Sequence, residues 1–187
     1  MLEKIIFLDR DGVINRNPET GYVDCLEKFE FLPGVIEAIK NLFVAGYKVI
    51  VVSNQAGVSK GLYTEQILET ITINMQKQIE AGGGQISSVQ YCVHGHNDGC
   101  VCRKPEIGLF TRAVKNIDID FEHSFMIGDT ERDIQAGFDF GCRTILLFCG
   151  KTKSKIDLSY FKLQPDFIAR DLLDAVNNVI LKNFKGL

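Results

Sequence analysis

The chain has no tryptophan and only three histidines and four prolines among its 187 residues. No stretch stays apolar for the ~18 residues of a membrane span, so no membrane partner is expected. Neither sign of charge dominates: 21 basic residues face 24 acidic ones, for a net charge of −3. Proteins that coat nucleic acid neutralise its phosphates with excess Lys and Arg, so no nucleic-acid partner is expected either. Repeats, low-complexity tracts and a convincing linker are all missing, which leaves one domain over residues 1–187 as the expectation. The opening residues Met1 to Asp9 lack the basic region, long apolar segment and cleavage site of a secretory leader. A cytoplasmic, reducing setting is therefore expected. In that setting the six cysteines, at 25, 92, 100, 102, 142 and 149, need a reading other than the disulfide framework of a short secreted chain.

What is present is an alternation of strand and helix signals. Ile5-Ile-Phe-Leu8, Val49-Ile-Val-Val52, Ser124-Phe-Met-Ile127 and Arg143-Thr-Ile-Leu-Leu-Phe148 read as strands buried on both faces, residues 86–93 as another, and Phe167-Ile168 as a short sixth. Between them, Val35, Ile36, Ile39, Leu42 and Phe43 recur at helical spacing, as do Ile67, Leu68, Ile71 and Met75 behind a Thr64 cap. Pro105 is placed to open a helix carrying Leu109 and Phe110, and two further helices are expected near 131–140 and from Leu172 onward. Gly82-Gly-Gly84 ends a helix and so is not a phosphate loop. Such alternation predicts an α/β fold with a Rossmann-like, doubly wound, mostly parallel sheet.

Ligands of these sheets bind beyond the carboxyl ends of the strands. Asp9-Arg-Asp11-Gly follows the first apolar run, Ser53-Asn-Gln55 the second, a Cys/His cluster with Arg103-Lys104 the third, and Gly128-Asp129-Thr130-Glu-Arg-Asp133 the fourth. Each alone could be a loop or a helix cap, but four polar groups at one sheet edge suit phosphoryl transfer. A carboxylate can attack phosphorus without deprotonation, its ordinary pKa being about 3.9. Charge repulsion between it and the phosphate must then be removed, a task for Mg²⁺ on Asp9 and Asp129 and for Lys104 as a point charge. Asp11, two residues along, would point the same way as Asp9 and serve as acid and base. Ser53 and the backbone around Asn54 would donate hydrogen bonds to phosphate oxygens. Asp133 would orient the metal's water shell or Lys104.

Phe7-Leu-Asp-Arg-Asp-Gly-Val13 resembles the first motif, D-x-D-G, of haloacid-dehalogenase-type phosphatases. Ser53, Lys104 and Gly128-Asp-x-x-x-Asp133 resemble their other three motifs in order, over residues 5–150. Gly21-Tyr-Val23, Ser53-Asn-Gln-Ala-Gly57, the Cys/His loop and Cys102-Arg-Lys-Pro105 look like the branch acting on heptose bisphosphates, and the histidinol-phosphate branch shares much of this pattern. The resemblance implies a small sugar phosphate as substrate, Asp9 as nucleophile and Asp11 as proton donor. It implies Mg²⁺ on Asp9, the Asp11 backbone carbonyl and Asp129, supported by Thr130 and Asp133. Glu19, Thr20, Gly21 and Tyr22, with Asn54, Gln55 and Ala56, would line the sugar pocket beside Ser53, Arg103 and Lys104. Three features depart from the pattern: a longer loop between Asp11 and Gly21, Lys60 in place of the common Arg, and Thr130 where Lys is frequent. Residues 12–52 and 54–103 leave no room for the large cap domain of many relatives, so loops must exclude water, and a monomer is expected. A histidinol-phosphate substrate, or a catalytically silent zinc-stabilised interaction protein, are the competing readings.

Cys92-Val-His94-Gly-His96, followed by Cys100-Val-Cys102, offers three thiolates and an imidazole. That set makes a closed tetrahedral Zn²⁺ site, with a disulfide or free thiols as alternatives. The resemblance selects His94 over His96 and implies structural Zn²⁺ on Cys92, His94, Cys100 and Cys102, in a loop 92–102 that shapes Arg103 and Lys104. Cys25, Cys142 and Cys149 are read as packing residues, and His123 as a surface loop residue.

Overall fold

Each apolar run becomes a strand of one parallel sheet in the computed structural model, which describes residues 2–18, 20–148 and 161–183. The strands are β1 (Ile5–Leu8), β2 (Lys48–Asn54), β3 (Ser88–Cys92), β4 (Phe125–Gly128), β5 (Arg143–Leu147) and β6 (Phe167–Ala169), in the order β3-β2-β1-β4-β5-β6. All neighbours pair in parallel. Phe7 sits between Ile50 of β2 and Met126 of β4, so the centre of the sheet is fixed by β1. The doubly wound reading holds.

Alternation along the strands separates two cores. Ile6, Leu8, Val49 and Val51 face α1 (Val35–Val44), α2 (Glu65–Ala81) and the C-terminal helix α5. That last helix starts at Leu172–Asp174, runs through a π-helical stretch at Ala175–Ile180 and returns to α geometry at Leu181–Asn183. Ile5, Phe7, Ile50 and Val52 face α3 (Gly108–Ala113) and α4 (Glu131–Phe140) through Leu109, Phe110 and Ala136. The Phe7 ring lies 4.8 Å from that of Phe110 and 5.6 Å from that of Phe140. Truncating such a buried ring to Ala costs about 3–5 kcal/mol.

The helix ends follow the sequence signals with one correction. Thr64 caps α2, its hydroxyl accepting from the Ile67 N–H at 3.3 Å, and α2 stops at the Gly82–Gly84 run as expected. Pro105 does not open α3. The chain first turns over Arg103–Glu106, closed by the Glu106 N–H on the Arg103 carbonyl at 2.9 Å. The Gly108 N–H then bonds the Val101 carbonyl at 3.0 Å, and α3 starts at Gly108. Cys142 is buried as a packing residue and Cys25 is half-buried. His123 is half-buried, its Nδ1 paired with Asp120 at 2.8 Å. Cys149 and the basic stretch 151–155 lie outside the described residues. Among the described residues no helix is long and apolar enough to cross a membrane.

Candidate active site

The strand order reverses direction between β1 and β4, the switch point at which open α/β sheets bind ligands. Asp9 follows β1 and Asp129 follows β4. Their carboxylates and that of Asp133 lie within 4.8 Å of one another. Asp129 and Asp133 are buried, and Asp9 is mostly so. Asp133 is placed by the first turn of α4: its carboxylate accepts from the Thr130 N–H at 3.1 Å and the Thr130 hydroxyl at 2.6 Å. Thr130 therefore serves the site by capping α4 and orienting Asp133.

Lys104 reaches the same point from the β3–α3 connection. Its side chain is 2% exposed, and the ammonium pairs with Asp133 at 2.6 Å and Asp9 at 3.1 Å. Burial pulls its pKa down, but Asp133 and Asp9 more than offset this, so Lys104 stays charged. Burial pushes the Asp9 pKa up, opposed first by Lys104 and further by a hydrogen bond from Ser53. Asn54 clamps the Lys104 backbone from both sides, donating to its carbonyl and accepting from its N–H at 3.0 Å each.

The three carboxylates offer hard oxygen donors of the kind Mg²⁺ takes, with little protein ligation and room for waters. Gly12 adds an independent sign of fit. Its φ is 92°, and a Cβ there would collide with the Asp129 carboxylate. Only a glycine lets the loop after Asp11 close over that acid.

Asp9 faces Lys104, whereas the Asp11 side chain is held by a different set of partners. Asp11 lines the cavity but stands outside the carboxylate cluster. Its oxygens accept from Arg10 at 2.9 to 3.1 Å, Asn15 at 2.9 Å and Gln55 at 2.8 Å. Burial alone would raise its pKa, but Arg10 and these hydrogen bonds reverse that and hold it below the ordinary value. Arg10 is fully buried, with its guanidinium over the Tyr91 ring.

A cavity of about 340 Å³ collects most of the expected residues: Asp9, Asp11, Gly21, Tyr22, Ser53, Asn54, Ala56, Arg103, Lys104, Asp129, Thr130 and Asp133. Two expected residues are not there. Thr20 is exposed and outside the lining. Gln55 is buried and points inward, because Asn54 and Ala56 on either side of it take the cavity face. Glu19 lies outside the described residues. Asn17, Val23, His96 and Arg132 line the cavity without having been expected. His96 had a signal, since it alternates with His94 along the loop. Arg132 had one in its helical spacing from Asp129. Arg103, Lys60 and Arg132 all hold the His96 pKa down, Arg103 most strongly.

The Cys/His loop forms a second cluster. The ligand atoms of Cys92, His94, Cys100 and Cys102 fall within 4.8 Å of one another. Sulfur separations are 3.2, 3.6 and 3.7 Å, and His94 Nδ1 is 3.2 and 3.5 Å from two of the sulfurs. Tetrahedral Zn²⁺ with bonds of about 2.3 Å spaces its sulfurs by about 3.8 Å, whereas a disulfide needs about 2.05 Å. None of these three cysteines is in a disulfide, and the donor set and spacing fit a closed zinc site. Burial tends to raise the Cys100 pKa, but the N–H groups of Cys102 and Arg103 bring it to about 7, while burial pushes Cys92 up to about 12. The loop also holds Arg103 directly, whose guanidinium donates to the His94 carbonyl at 3.3 Å and contacts the His96 ring at 3.2 Å.

Known proteins resemble the chain in sequence and in fold. Residues 101–175 match the HAD-hydrolase-like family model. A D-glycero-beta-D-manno-heptose-1,7-bisphosphate 7-phosphatase of Helicobacter pylori strain J99 is 39% identical over 145 residues, 77% of this chain and 82% of that protein. One from Pasteurella multocida strain Pm70 is 36% identical, covering 100% of this chain and 99% of the relative. The crystal structure of D,D-heptose 1.7-bisphosphate phosphatase from B. bronchiseptica, complexed with magnesium and phosphate, superposes with a TM-score of 0.88. It is 30% identical and covers 96% of this chain and 99% of that one.

Proposed function

The chain belongs to the haloacid-dehalogenase-like phosphatase family, and from that premise we propose that it removes the C7 phosphate of D-glycero-D-manno-heptose 1,7-bisphosphate. The whole chain works as one such domain on a small sugar phosphate in the cytoplasm, as a monomer, in a route to ADP- or GDP-activated heptose. The names of the relatives support the substrate. The observation that carries the chemistry is Lys104, buried between Asp9 and Asp133 beside Asp129 at the sheet's switch point. That arrangement puts an anionic nucleophile and a fixed cation at one spot, as an incoming phosphoryl group requires.

In this reading an oxygen of Asp9 attacks the phosphorus carried on C7 and the bond between phosphorus and the C7 oxygen breaks, giving an aspartyl-phosphate and the C7 alkoxide. Asp11 protonates the leaving alkoxide, then takes a proton from the water that hydrolyses the intermediate. Asp11 rests as a carboxylate in the free protein; the anionic phosphate entering beside it raises its proton affinity, so it takes up a proton from solvent as substrate binds and gives that proton to the alkoxide. Ser53 and Lys104 hold the phosphoryl oxygens. Arg103 and the Gly21–Tyr22 segment face the sugar. Asp9, Asp129 and the Asp11 carbonyl would hold Mg²⁺, with Asp133 in support. Bound there, the ion would neutralise charge between the carboxylates and the phosphate. Cys92, His94, Cys100 and Cys102 would hold a Zn²⁺ that fixes the loop presenting Arg103.

Asp9→Asn tests the reading. It should abolish turnover while leaving the melting temperature near that of the parent, and full activity in the variant would defeat the mechanism.

A further inference from the structure

We propose that Tyr63 and Gln55 are positioning residues that set which way the Ser53 hydroxyl donates and hold Asp11 in register with it. The inference rests on the roles proposed above for Ser53 and Asp11.

Hydrogen-bond polarity carries the argument. Gln55 is 1% exposed, and its side chain touches four groups. Arg10 can only donate, and it meets Gln55 Oε1 at 3.1 Å. The Asp11 carboxylate can only accept, and it meets Gln55 Nε2 at 2.8 Å. These two neighbours fix the amide in one orientation. The Tyr63 hydroxyl, 2.6 Å from Oε1, must then donate. The Ser53 oxygen, 3.1 Å from Nε2, must accept. Ser53's own proton is left for the cavity side, where it reaches the Asp9 carboxylate and, with substrate present, a phosphoryl oxygen.

A serine turned the other way would present lone pairs to an anion. A single rigid amide thus orients the phosphate donor and the acid/base together. Tyr63 is the outer anchor of this chain. It is 4% exposed, immediately before the Thr64 cap of α2. Gly57 makes room for it, since a Cβ there would run into the Tyr63 ring. Tyr63 stands outside the lining of the cavity, so it acts through Gln55.

A double-mutant cycle in magnesium-containing buffer tests this, using Tyr63→Phe and Gln55→Met with heptose 1,7-bisphosphate and 4-nitrophenyl phosphate as substrates. Tyr63→Phe should lower kcat about 10-fold with KM within about 2-fold. In the Gln55→Met background the same change should alter kcat by less than about 2-fold, because its partner is gone. Loss should be greater on the alkyl phosphate than on the aryl phosphate, whose leaving group needs little protonation. An equal effect of Tyr63→Phe in both backgrounds, or an unchanged kcat, overturns the inference. Asp11→Asn run alongside separates the two levels: if it leaves kcat intact, the Asp11 role itself fails, whereas its loss with an unaffected Tyr63→Phe sinks only the positioning.

Discussion

Replacing Lys104 by Met probes the electrostatic centre of the site. The side chain keeps its length and apolar stem but loses the charge that separates Asp9 from Asp133, at 3.1 and 2.6 Å. At about 3 Å and an effective dielectric of about 20, each pair attracts by about 5.5 kcal/mol. Most of that offsets the desolvation of three buried charges. Removing one partner leaves the carboxylates uncompensated, and such losses run to about 3–5 kcal/mol. The cost should depend on pH in one direction. Asp9 is already raised by burial, and Lys104 is the strongest influence lowering it. In Lys104→Met the folded-state pKa of Asp9 therefore rises further. Stability tied to a raised pKa is fully present below the ordinary carboxylate value and is lost as the pH climbs through the raised one. Urea unfolding in magnesium-free buffer at pH 5 and pH 8 measures this. The variant should be closest to the parent at pH 5 and fall behind at pH 8. A variant equal to the parent at both values, or one that loses more on acidification, would refute the electrostatic account.

Three further outcomes are expected. Cys100→Ser should cut bound zinc from about one ion per chain, by elemental analysis, and raise KM more than it lowers kcat, because the loop holds Arg103 through the His94 carbonyl. Gly12→Ala should lower kcat about 100-fold without unfolding the chain, since its Cβ displaces Asp129, and steady-state kinetics with circular dichroism would show it. Asp174, held at about 2 by the Arg170 N–H first and by Asn178 and the Arg170 guanidinium after it, contributes stability above the ordinary carboxylate value. That contribution is lost as pH falls through about 2. Asp174→Asn should cost about 1–2 kcal/mol at pH 7 in chemical denaturation and progressively less below about pH 4.

Strand and helix order could be read because each strand is a continuous apolar run and each helix repeats its apolar residues at helical spacing. The sheet edge carrying Asp9, Ser53, Lys104 and Asp129 followed from that order alone. What stayed hidden were directions of side chains after the strands end. Asp11 was expected to point the same way as Asp9; both line the cavity, but Arg10, Asn15 and Gln55 hold Asp11 outside the carboxylate cluster. Gln55 was placed in the pocket with Asn54 and Ala56 by the family resemblance, and one step of alternation turns it inward. Arg10 gave no sign of burial, since Asp11 beside it completes only part of its bonding and the remaining partners, Gln55 and the Tyr91 ring, come from other segments. Pro105 marked a boundary, but its turn consumes three residues before α3 can start. The Cys/His cluster was legible as a ligand set, and the choice of His94 over His96 needed the family pattern before the loop geometry put His96 at the cavity.

The most direct test of the account is ³¹P NMR of turnover by the purified, magnesium-loaded protein on D-glycero-D-manno-heptose 1,7-bisphosphate, with histidinol phosphate measured in parallel. The account predicts loss of the C7 phosphate to leave heptose 1-phosphate, with kcat/KM at least about 100-fold above that for histidinol phosphate. Release of the C1 phosphate, or a preference for histidinol phosphate, would contradict it.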